Sequence, residues 1–160
     1  MLSISHAPAD YVCPFCGVQR GEYDERNHPT DVVAVTDRAY ARIAPKWWPG
    51  NPGAALVMPR RHVENLYAMS AEDGHAVWEL TQTVAVAVRQ TYGCVGTSIR
   101  QHNEPAGNQD VWHLHVHVFA RHVEDQLYQR HDQARWVERN ERTLYAQQLR
   151  SALALPVTLG

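Results

Sequence analysis

The sequence is poor in several features that would assign it to a special class of protein. It has three cysteines, an odd number that argues against a disulfide framework. No run approaches the ~18 apolar residues that cross a bilayer, and the N-terminal stretch lacks the basic and apolar segments of a secretory signal. The formal net charge of −2 gives no reason to expect a non-specific nucleic-acid binder. We therefore expect a cytoplasmic protein without membrane or nucleic-acid partners.

The length and composition fit a single globular domain, with 160 residues of which 44% are hydrophobic and 20% charged. A helix is predicted from Ser70, a good N-cap followed by two acidic residues, to Gly93. A second helix is predicted over 137–153, and its apolar side is expected to comprise Leu144, Leu149 and Leu153.

Strands, a turn and a loop are predicted in the remaining segments. The strands are expected at 31–36, 40–43, 54–58, 97–102 and 111–119. A compact turn is expected at 13–17, and a loop with three prolines and two glycines at 45–53. This order of elements favours an α+β fold with a largely antiparallel sheet.

The most informative stretch is His113-Leu114-His115-Val116-His117-Val118-Phe119. Residues two apart on a strand share a face, so the apolar residues are expected to face a core and the three histidines to line the other side. Imidazole titrates near neutrality and serves as base, nucleophile or metal ligand. The pattern therefore indicates a site with chemistry rather than a solvated strand face.

Two further segments are candidates for a site. Cys13 and Cys16 have the spacing of a zinc knuckle, for which His62 and His113 are the best candidates to complete a tetrahedral set. A lone CxxC also occurs in redox pairs, and that alternative stays open. The loop 103–110 offers amide side chains and small residues that can cradle an anion, although such residues also form plain turns.

Together these motifs resemble the histidine triad (HIT) superfamily, and specifically its zinc-containing bacterial hydrolases. The resemblance covers Cys13 to Arg121 and includes CPFC, the strand ending in Pro59-Arg60-Arg61-His62, a long helix, Asn103 and the segment from Gln109 through the histidine triplet. It implies about five antiparallel strands, a long central helix and a C-terminal helix, with a homodimer as the usual assembly. We expect residues 1–160 to form one HIT domain, with a core at 13–121 and a C-terminal helical extension at 122–160.

The resemblance also implies roles for individual residues. His115 matches the nucleophile that attacks the α-phosphorus and forms a nucleotidyl-histidine, and His117 matches the residue that hydrogen-bonds the phosphate. A purine nucleotide or nucleotide conjugate is the implied substrate, and the positions implied to contact it are Ile43, Trp47, Asn103, Gly107, Gln109 and His117. The implied zinc ligands are Cys13, Cys16, His62 and His113, with the metal structural rather than catalytic.

The chain departs from the family pattern at several positions. Ala54 stands where many members have a histidine, and Arg42 where several have a ribose-binding carboxylate. Trp47 and Trp48 lie in a longer proline-rich loop, where they can stack on a base or pack in the core. Asp110 replaces the usual Ser or Thr before the triad and is a catalytic candidate beside the leaving group, unless it pairs with an arginine.

These residues rank the candidate functions. A carboxylate at Asp110 tolerates a departing amine and repels a departing nucleoside phosphate, which favours hydrolysis of nucleoside 5′-phosphoramidates. Hydrolysis of dinucleoside polyphosphates is the first alternative, with Arg60, Arg61 and Arg100 as its cationic cluster. A nucleotide or zinc sensor with little turnover comes next. A catalytic metal held by all three histidines ranks last, because it leaves the cysteine pair without a role.

Overall fold

A computed structural model describes residues 2–160, which form an α+β fold around a five-stranded antiparallel sheet. The strand order is β1-β2-β4-β6-β5, and a separate two-stranded ribbon pairs β3 with β7. The helices are α1 (Pro14–Gln19), α2 (Ala71–Thr91) and α3 (Arg139–Leu153). The strands are β1 (Val32–Val35), β2 (Ala39–Ile43), β3 (Lys46–Trp47), β4 (Ala55–Pro59), β5 (Gly96–Gln101), β6 (Val116–Arg121) and β7 (Arg135–Trp136).

The long helix α2 forms where its capping residues predict it. The Oγ atom of Ser70 accepts a hydrogen bond from the backbone N–H of Asp73 at 3.2 Å, so one otherwise unpaired donor of the first turn is satisfied. The helix ends before Gly93, whose φ of +63° suits the left-handed conformation after a helix. Its buried face comprises Val77, Leu80, Val84, Ala87 and Val88, which pack against the sheet.

Three sequence predictions about secondary structure are corrected. The residues 13–17 belong to the short helix α1 with Cys13 as its N-cap, because the Cys13 side chain accepts from the backbone N–H of Cys16. The loop 45–53 contains β3, which pairs with β7 from far along the chain. Leu144 is 60% exposed, and the buried positions of α3 are Arg142, Ala146 and Leu149.

The last predicted strand is shorter than expected, and this shapes the site. β6 begins at Val116 rather than at residue 111. Before it, the backbone N–H of His113 bonds to the Val111 carbonyl, and that of Leu114 to the Val63 carbonyl. The segment 111–115 is therefore an arch outside the sheet ladder. Within β6 the predicted alternation holds, since Val118 is fully buried while His117 is half-buried.

A buried ion cluster ties α3 to the sheet. Asp31 accepts hydrogen bonds from Arg42 of β2 at 3.0 Å and from Arg142 of α3 at 2.9 and 3.1 Å. All three side chains are at most 1% exposed, and the guanidinium groups also bond backbone carbonyls of the 25–27 segment. The cluster fixes that segment in place, which matters because it lies at one side of the cavity described below.

Within residues 2–160, no helix combines the length and the apolar character needed to cross a membrane.

Candidate functional site

The arch before β6 turns His113 toward the cysteine pair. The Nδ1 atom of His113 lies 3.3 Å from the Sγ of Cys13 and 3.5 Å from that of Cys16. His62, just past the end of β4, places its own Nδ1 3.5 Å from the Cys16 sulfur. One ligand atom from each of these four residues lies within 4.8 Å of all the others. The structure thus brings together the complete ligand set predicted from the sequence.

The chemistry of this donor set fits a metal cation. The Nε2 atom of His113 lies 2.9 Å from the Pro59 carbonyl, which can only accept, so Nε2 carries the proton and Nδ1 is left with a free lone pair. A hydrogen bond from the Cys16 thiol lowers the pKa of Cys13 to about 3. The same sulfur contact raises the pKa of Cys16. Thiolate is the form in which cysteine binds a metal, so a bound cation would favour deprotonation of both cysteines.

His115 is oriented as a neutral nucleophile. Its Nδ1 atom lies 2.8 Å from the backbone carbonyl of His113, so this nitrogen carries the proton and Nε2 presents a lone pair. Burial lowers the pKa of His115 and keeps the ring neutral, although the nearby Asp110 opposes the shift. Nε2 lies 3.8 Å from the Oδ1 of Asp110, whose side chain is 70% exposed. Among the described residues no arginine pairs with Asp110, so its carboxylate faces the site.

His117 lies beside His115, with the ring centroids 5.0 Å apart. Burial lowers its pKa well below the ordinary value, and the neighbouring His115 and Arg100 add to the effect. Its Nδ1 atom is buried without a hydrogen-bond partner among the described residues. A neutral imidazole with an unpaired buried nitrogen can still bond a ligand that enters the site.

His115 and His117 open into a cavity of about 590 Å³, a size that suits a small-molecule ligand. Its apolar wall includes Pro14, Phe15, Ala44 and Leu56, and its outer wall includes Trp48, His131 and Trp136. Polar and charged residues complete the lining: Asp24, Arg26, Asn27, Lys46, Arg100, His102, Asn108, Gln109 and Asp110. The arrangement offers a nucleophile, neutral and charged donors, and flat apolar surfaces within one cavity.

Several residues predicted to contact nucleotide do not line this cavity. Ile43 is fully buried, and Trp47 is 2% exposed because its indole N–H bonds the Ala44 carbonyl in the core. The Oδ1 of Asn103 accepts from the backbone N–H of Leu66, and Gly107 lies away from the cavity wall. Trp48, not Trp47, supplies the aromatic surface of this loop.

Gln109 lies at the cavity, but its amide is already engaged. Its Nε2 donates to the carbonyls of Glu64 and Val111, and its Oε1 accepts from the Glu104 N–H. These bonds connect the 103–110 loop to the arch. Gln109 therefore holds the backbone beside the histidines in place.

The predicted cationic cluster separates in the structure. Arg61 pairs with Asp73 at the start of α2, and Arg60 bonds Gln19 and the Thr36 carbonyl, so neither lines the cavity. Of the three arginines, only Arg100 lines the cavity. Arg42 is likewise fully buried against Asp31 and takes no place at the cavity.

His102, His131 and Trp136 were not identified from the sequence. His102 lies two residues beyond Arg100, and the two-residue period of the strand would have placed both on one face. His131 and Trp136 reach the cavity because residues after β6 fold back, with Trp136 in the β3–β7 ribbon and the Trp48 indole bonded to the His131 carbonyl. No local pattern indicates this long-range pairing.

Comparisons with known proteins agree with the fold. The model of the HIT domain family matches residues 25–124. Protein hit of Bacillus subtilis is 29% identical over 70 residues, which are 44% of this chain and 48% of that protein. A bifunctional bis(5′-adenosyl)-triphosphatase/adenylylsulfatase of Arabidopsis thaliana is 26% identical over 93 residues, 58% of this chain and 51% of that protein. The chain thus matches only about half the length of these two relatives.

A solved structure extends the likeness over most of the chain. The crystal structure of a zinc-bound histidine triad family protein from Mycobacterium smegmatis superposes with a TM-score of 0.71. It covers 89% of this chain and 93% of that protein at 24% identity. At this identity the match establishes the shared fold.

Proposed function

Because the chain belongs to the HIT domain family, whose members bind or hydrolyse nucleotides, we propose that it is a nucleotide hydrolase acting at the α-phosphate. The observation that carries the proposal is the state of His115. Its ring is neutral, its Nδ1–H is held by the His113 carbonyl, and its Nε2 lone pair faces the cavity. A pure binding site has no need of such a nucleophile.

In the first step, Nε2 of His115 attacks the α-phosphorus and forms a phosphorus–nitrogen bond. The bond from phosphorus to the leaving group breaks, and its electron pair departs with the leaving group, which takes up a proton. The Nδ1–H of His115 remains bonded to the His113 carbonyl and stabilises the positive charge that the ring gains. His117 is positioned to bond a non-bridging phosphate oxygen.

In the second step, water attacks the same phosphorus atom and the bond to Nε2 breaks. The electron pair returns to the imidazole, the water loses a proton, and a nucleoside monophosphate is released. Asp110 is the candidate base that takes the proton of the attacking water, because its carboxylate lies 3.8 Å from Nε2, and the proton that the leaving group takes up in the first step comes from solvent.

We infer that the preferred substrates are nucleoside 5′-phosphoramidates of a purine nucleoside. The support is Asp110, whose carboxylate lies 3.8 Å from Nε2 of His115 and adds negative charge at the reacting centre. An amine leaves as a neutral or cationic group, whereas a nucleoside phosphate leaves as an anion. The apolar wall around Phe15 and Leu56 offers a surface for the base.

Hydrolysis of dinucleoside polyphosphates is the second candidate function. Arg100 favours it, since a cation in the cavity wall can bind a further phosphate. The Arabidopsis relative is a bis(5′-adenosyl)-triphosphatase, an activity consistent with this candidate.

We also propose that Cys13, Cys16, His62 and His113 hold a structural zinc ion. Zinc supplies a tetrahedral crosslink between thiolate and imidazole ligands. Here it would join α1, the end of β4 and the arch, and hold the His113 carbonyl where it orients His115. The proposal is consistent with the zinc-bound Mycobacterium smegmatis protein.

The remaining proposals concern the whole chain. We propose that residues 1–160 form one HIT domain, in which the extension 122–160 closes the outer side of the cavity. We also propose that two such chains form a homodimer. Support for the dimer comes from the exposed side chains of Trp78, Val86 and Val95, which are 64%, 51% and 61% exposed.

One experiment tests the activity and ranks the substrates. The purified protein is incubated with an adenosine 5′-phosphoramidate and, separately, with diadenosine tetraphosphate, and kcat/KM is measured for each. We expect turnover of both, with the higher kcat/KM for the phosphoramidate. A higher value for the tetraphosphate would instead support the second candidate. Binding of AMP without turnover of either substrate would show a nucleotide sensor.

A further inference from the structure

Arg100 is a cation at the cavity without an anionic partner. Its Nε and Nη2 atoms are buried and make no hydrogen bond within residues 2–160. No carboxylate of that part of the chain lies within 4.0 Å of its guanidinium group. Buried donors that are left unpaired cost on the order of 1–3 kcal/mol each, and more for charged groups. A ligand that enters the cavity can supply the missing partner.

Aromatic rings hold the guanidinium group in a fixed position. Its Cζ atom lies 4.5 Å from the ring centroid of Phe119, 5.3 Å from that of Trp48 and 5.7 Å from that of Tyr128. These cation–π contacts favour the charged form but supply no hydrogen-bond acceptors. Burial lowers the pKa of Arg100, as expected for a cation without a carboxylate beside it. The nearby Arg121 already has its partner, Asp125.

The sheet aims Arg100 at the reacting centre. In the antiparallel pairing of β5 with β6, Arg100 is directly opposite His117, so both side chains lie on the same face. His102, two residues further along, is on that face too, with its ring 5.8 Å from that of His117. The Nδ1 of His102 lies 3.2 Å from the Asn108 carbonyl, so its other nitrogen is available to a ligand. Arg100 therefore supplies the charged donors on the His117 side of the cavity, and His102 presents the lone pair of its second nitrogen there.

The two charged groups near the histidines make different demands on a substrate. Asp110, beside Nε2 of His115, disfavours added negative charge close to the reacting phosphorus. Arg100, on the neighbouring strand, favours negative charge elsewhere in the same molecule. A planar guanidinium group matches the paired oxygens of a carboxylate or phosphate.

Building on the proposed function, we propose that Arg100 is a specificity-determining residue that binds an anionic group carried by the leaving group of the substrate. The leaving group is then an amine with a carboxylate or phosphate beyond the scissile nitrogen. His102 lies at the same side of the cavity, and its free nitrogen can accept a hydrogen bond from the substrate.

The test compares three adenosine 5′-phosphoramidates that differ only in the amine. Propylamine is neutral, β-alanine carries a carboxylate and O-phosphoethanolamine carries a phosphate. Arg100→Met keeps a flexible apolar side chain against the rings and removes the charge. Arg89→Met, at an exposed position near the end of α2, is the matched control. Thermal unfolding of each variant checks that it is folded.

We expect Arg100→Met to lower kcat/KM about tenfold or more for an anionic amine, the loss that one charge-assisted bidentate contact accounts for. For the propylamine derivative, kcat/KM should change by less than about twofold. Arg89→Met should leave kcat/KM unchanged for all three substrates. The substrate with the larger loss of kcat/KM, the β-alanine or the O-phosphoethanolamine derivative, shows whether Arg100 binds a carboxylate or a phosphate. Equal losses on all three substrates, or no loss on any, would overturn the proposal.

Binding provides a readout that does not need turnover. In a His115→Asn background, calorimetry measures the affinity for AMP and for ADP, whose second phosphate extends into the leaving-group side. Adding Arg100→Met should lower the affinity for ADP about tenfold and the affinity for AMP less than about twofold. An equal loss for AMP would place Arg100 on the α-phosphate and overturn the proposal. If the wild type hydrolyses none of the substrates but this difference appears, the proposed hydrolysis fails and the anion site stands.

Discussion

At the residue scale, one backbone carbonyl determines which nitrogen of His115 can react. The His113 carbonyl accepts from Nδ1, so the lone pair is on Nε2, the nitrogen near Asp110. The His113 side chain points the other way, into the cysteine cluster, and its own Nε2 is bonded to the Pro59 carbonyl. A single residue thus connects the candidate metal centre to the nucleophile through its backbone.

Replacing His115 by Asn tests the covalent step. The variant keeps a polar side chain of similar size but has no nucleophilic nitrogen, so kcat should fall by about three orders of magnitude or more. AMP affinity should stay within a few fold. His75→Asn, at an exposed position on α2, is the control and should keep full activity. Activity of His115→Asn within tenfold of the wild type would contradict the assignment.

Replacing Asp110 by Ser tests the choice of leaving group. Removing the carboxylate should raise kcat/KM for diadenosine tetraphosphate relative to a neutral phosphoramidate by about fivefold. This corresponds to the ~1 kcal/mol Coulomb repulsion expected for an exposed charge a few ångströms away. The exposed Asp37, in the turn between β1 and β2, provides Asp37→Ser as the control. An unchanged ratio of the two kcat/KM values would show that Asp110 takes no part in this choice.

At the scale of elements, the loop after β6 depends on one carboxylate. Asp125 accepts hydrogen bonds from Arg121, Asn51 and the backbone N–H groups of His122 and Leu127. The bond from Arg121, together with these donors, holds the pKa of Asp125 far below its usual value. The loop leads into the residues that form the outer wall of the cavity, so Asp125 stabilises that wall.

The sign of the pH dependence follows from the lowered pKa. Asp125 contributes its full stabilisation above the unfolded-state pKa of about 3.9, and this contribution is lost as the pH falls toward the lower folded-state value. Asp125→Asn should cost about 1–3 kcal/mol of unfolding free energy at pH 7. The difference from wild type should shrink as the pH falls from 5 toward 3. Urea denaturation at several pH values measures it, and a constant difference would contradict the assignment.

Patterns within single elements could be predicted from the sequence. Ser70, the acidic first turn and Gly93 determine the ends of α2 by local hydrogen bonding, and the four metal-ligand candidates follow from residue type and spacing. The arch could not be predicted, since the alternation of histidine and apolar residues continues through a segment that bends away from the ladder. Its geometry depends on the Val63 carbonyl, a contact distant in sequence.

Which of the predicted nucleotide-contact residues line the cavity depends on contacts of the same kind. Trp47 and Trp48 are adjacent and identical in type, yet one is buried and the other lines the cavity. The pairing of β3 with β7 determines which of the two tryptophans is buried. That pairing joins residues almost 90 positions apart. Arg42 is directed inward by Asp31, a partner that only the fold brings near it. Such contacts are properties of the tertiary structure rather than of a local pattern.

At the scale of the whole molecule, the metal cluster joins three distant parts of the chain. Cys13 begins α1, His62 follows β4 and His113 lies in the arch. With zinc bound, purified protein should contain about one equivalent per chain. Cys13→Ser should lower the metal content and reduce the melting temperature by on the order of 10 °C, because the crosslink acts only on the folded state.

Cys94 provides the control for this experiment. It is buried beside the end of α2, away from the cluster, so Cys94→Ser should keep the full metal content whatever its effect on stability. Metal-free protein with wild-type stability would refute the structural zinc. Loss of metal in a His115 or His117 variant, with the cysteine variants unaffected, would point instead to a catalytic metal.

Assembly is the last property that the whole chain determines. β5 is at one edge of the five-stranded sheet, and Ile99 on it is 37% exposed. Near it, Val95 is 61% exposed, and α2 presents Trp78 and Val86 to the surface. The opposite edge is partly covered, since the backbone N–H of Val35 in β1 bonds the Pro156 carbonyl. An edge strand that ends among exposed apolar side chains is suited to pairing with a second chain.

We therefore expect a homodimer, and light scattering should give twice the 18.2 kDa mass of one chain. Trp78→Glu should shift the protein toward monomer, because a charge on an apolar contact surface is costly to bury. Tyr128→Glu, at an exposed position beside the cavity, is a matched control that should leave the dimer intact. A wild-type mass near 18.2 kDa at micromolar concentration would contradict the dimer. A dimer unaffected by Trp78→Glu would place the interface elsewhere, and Ile99→Lys would then test the β5 edge.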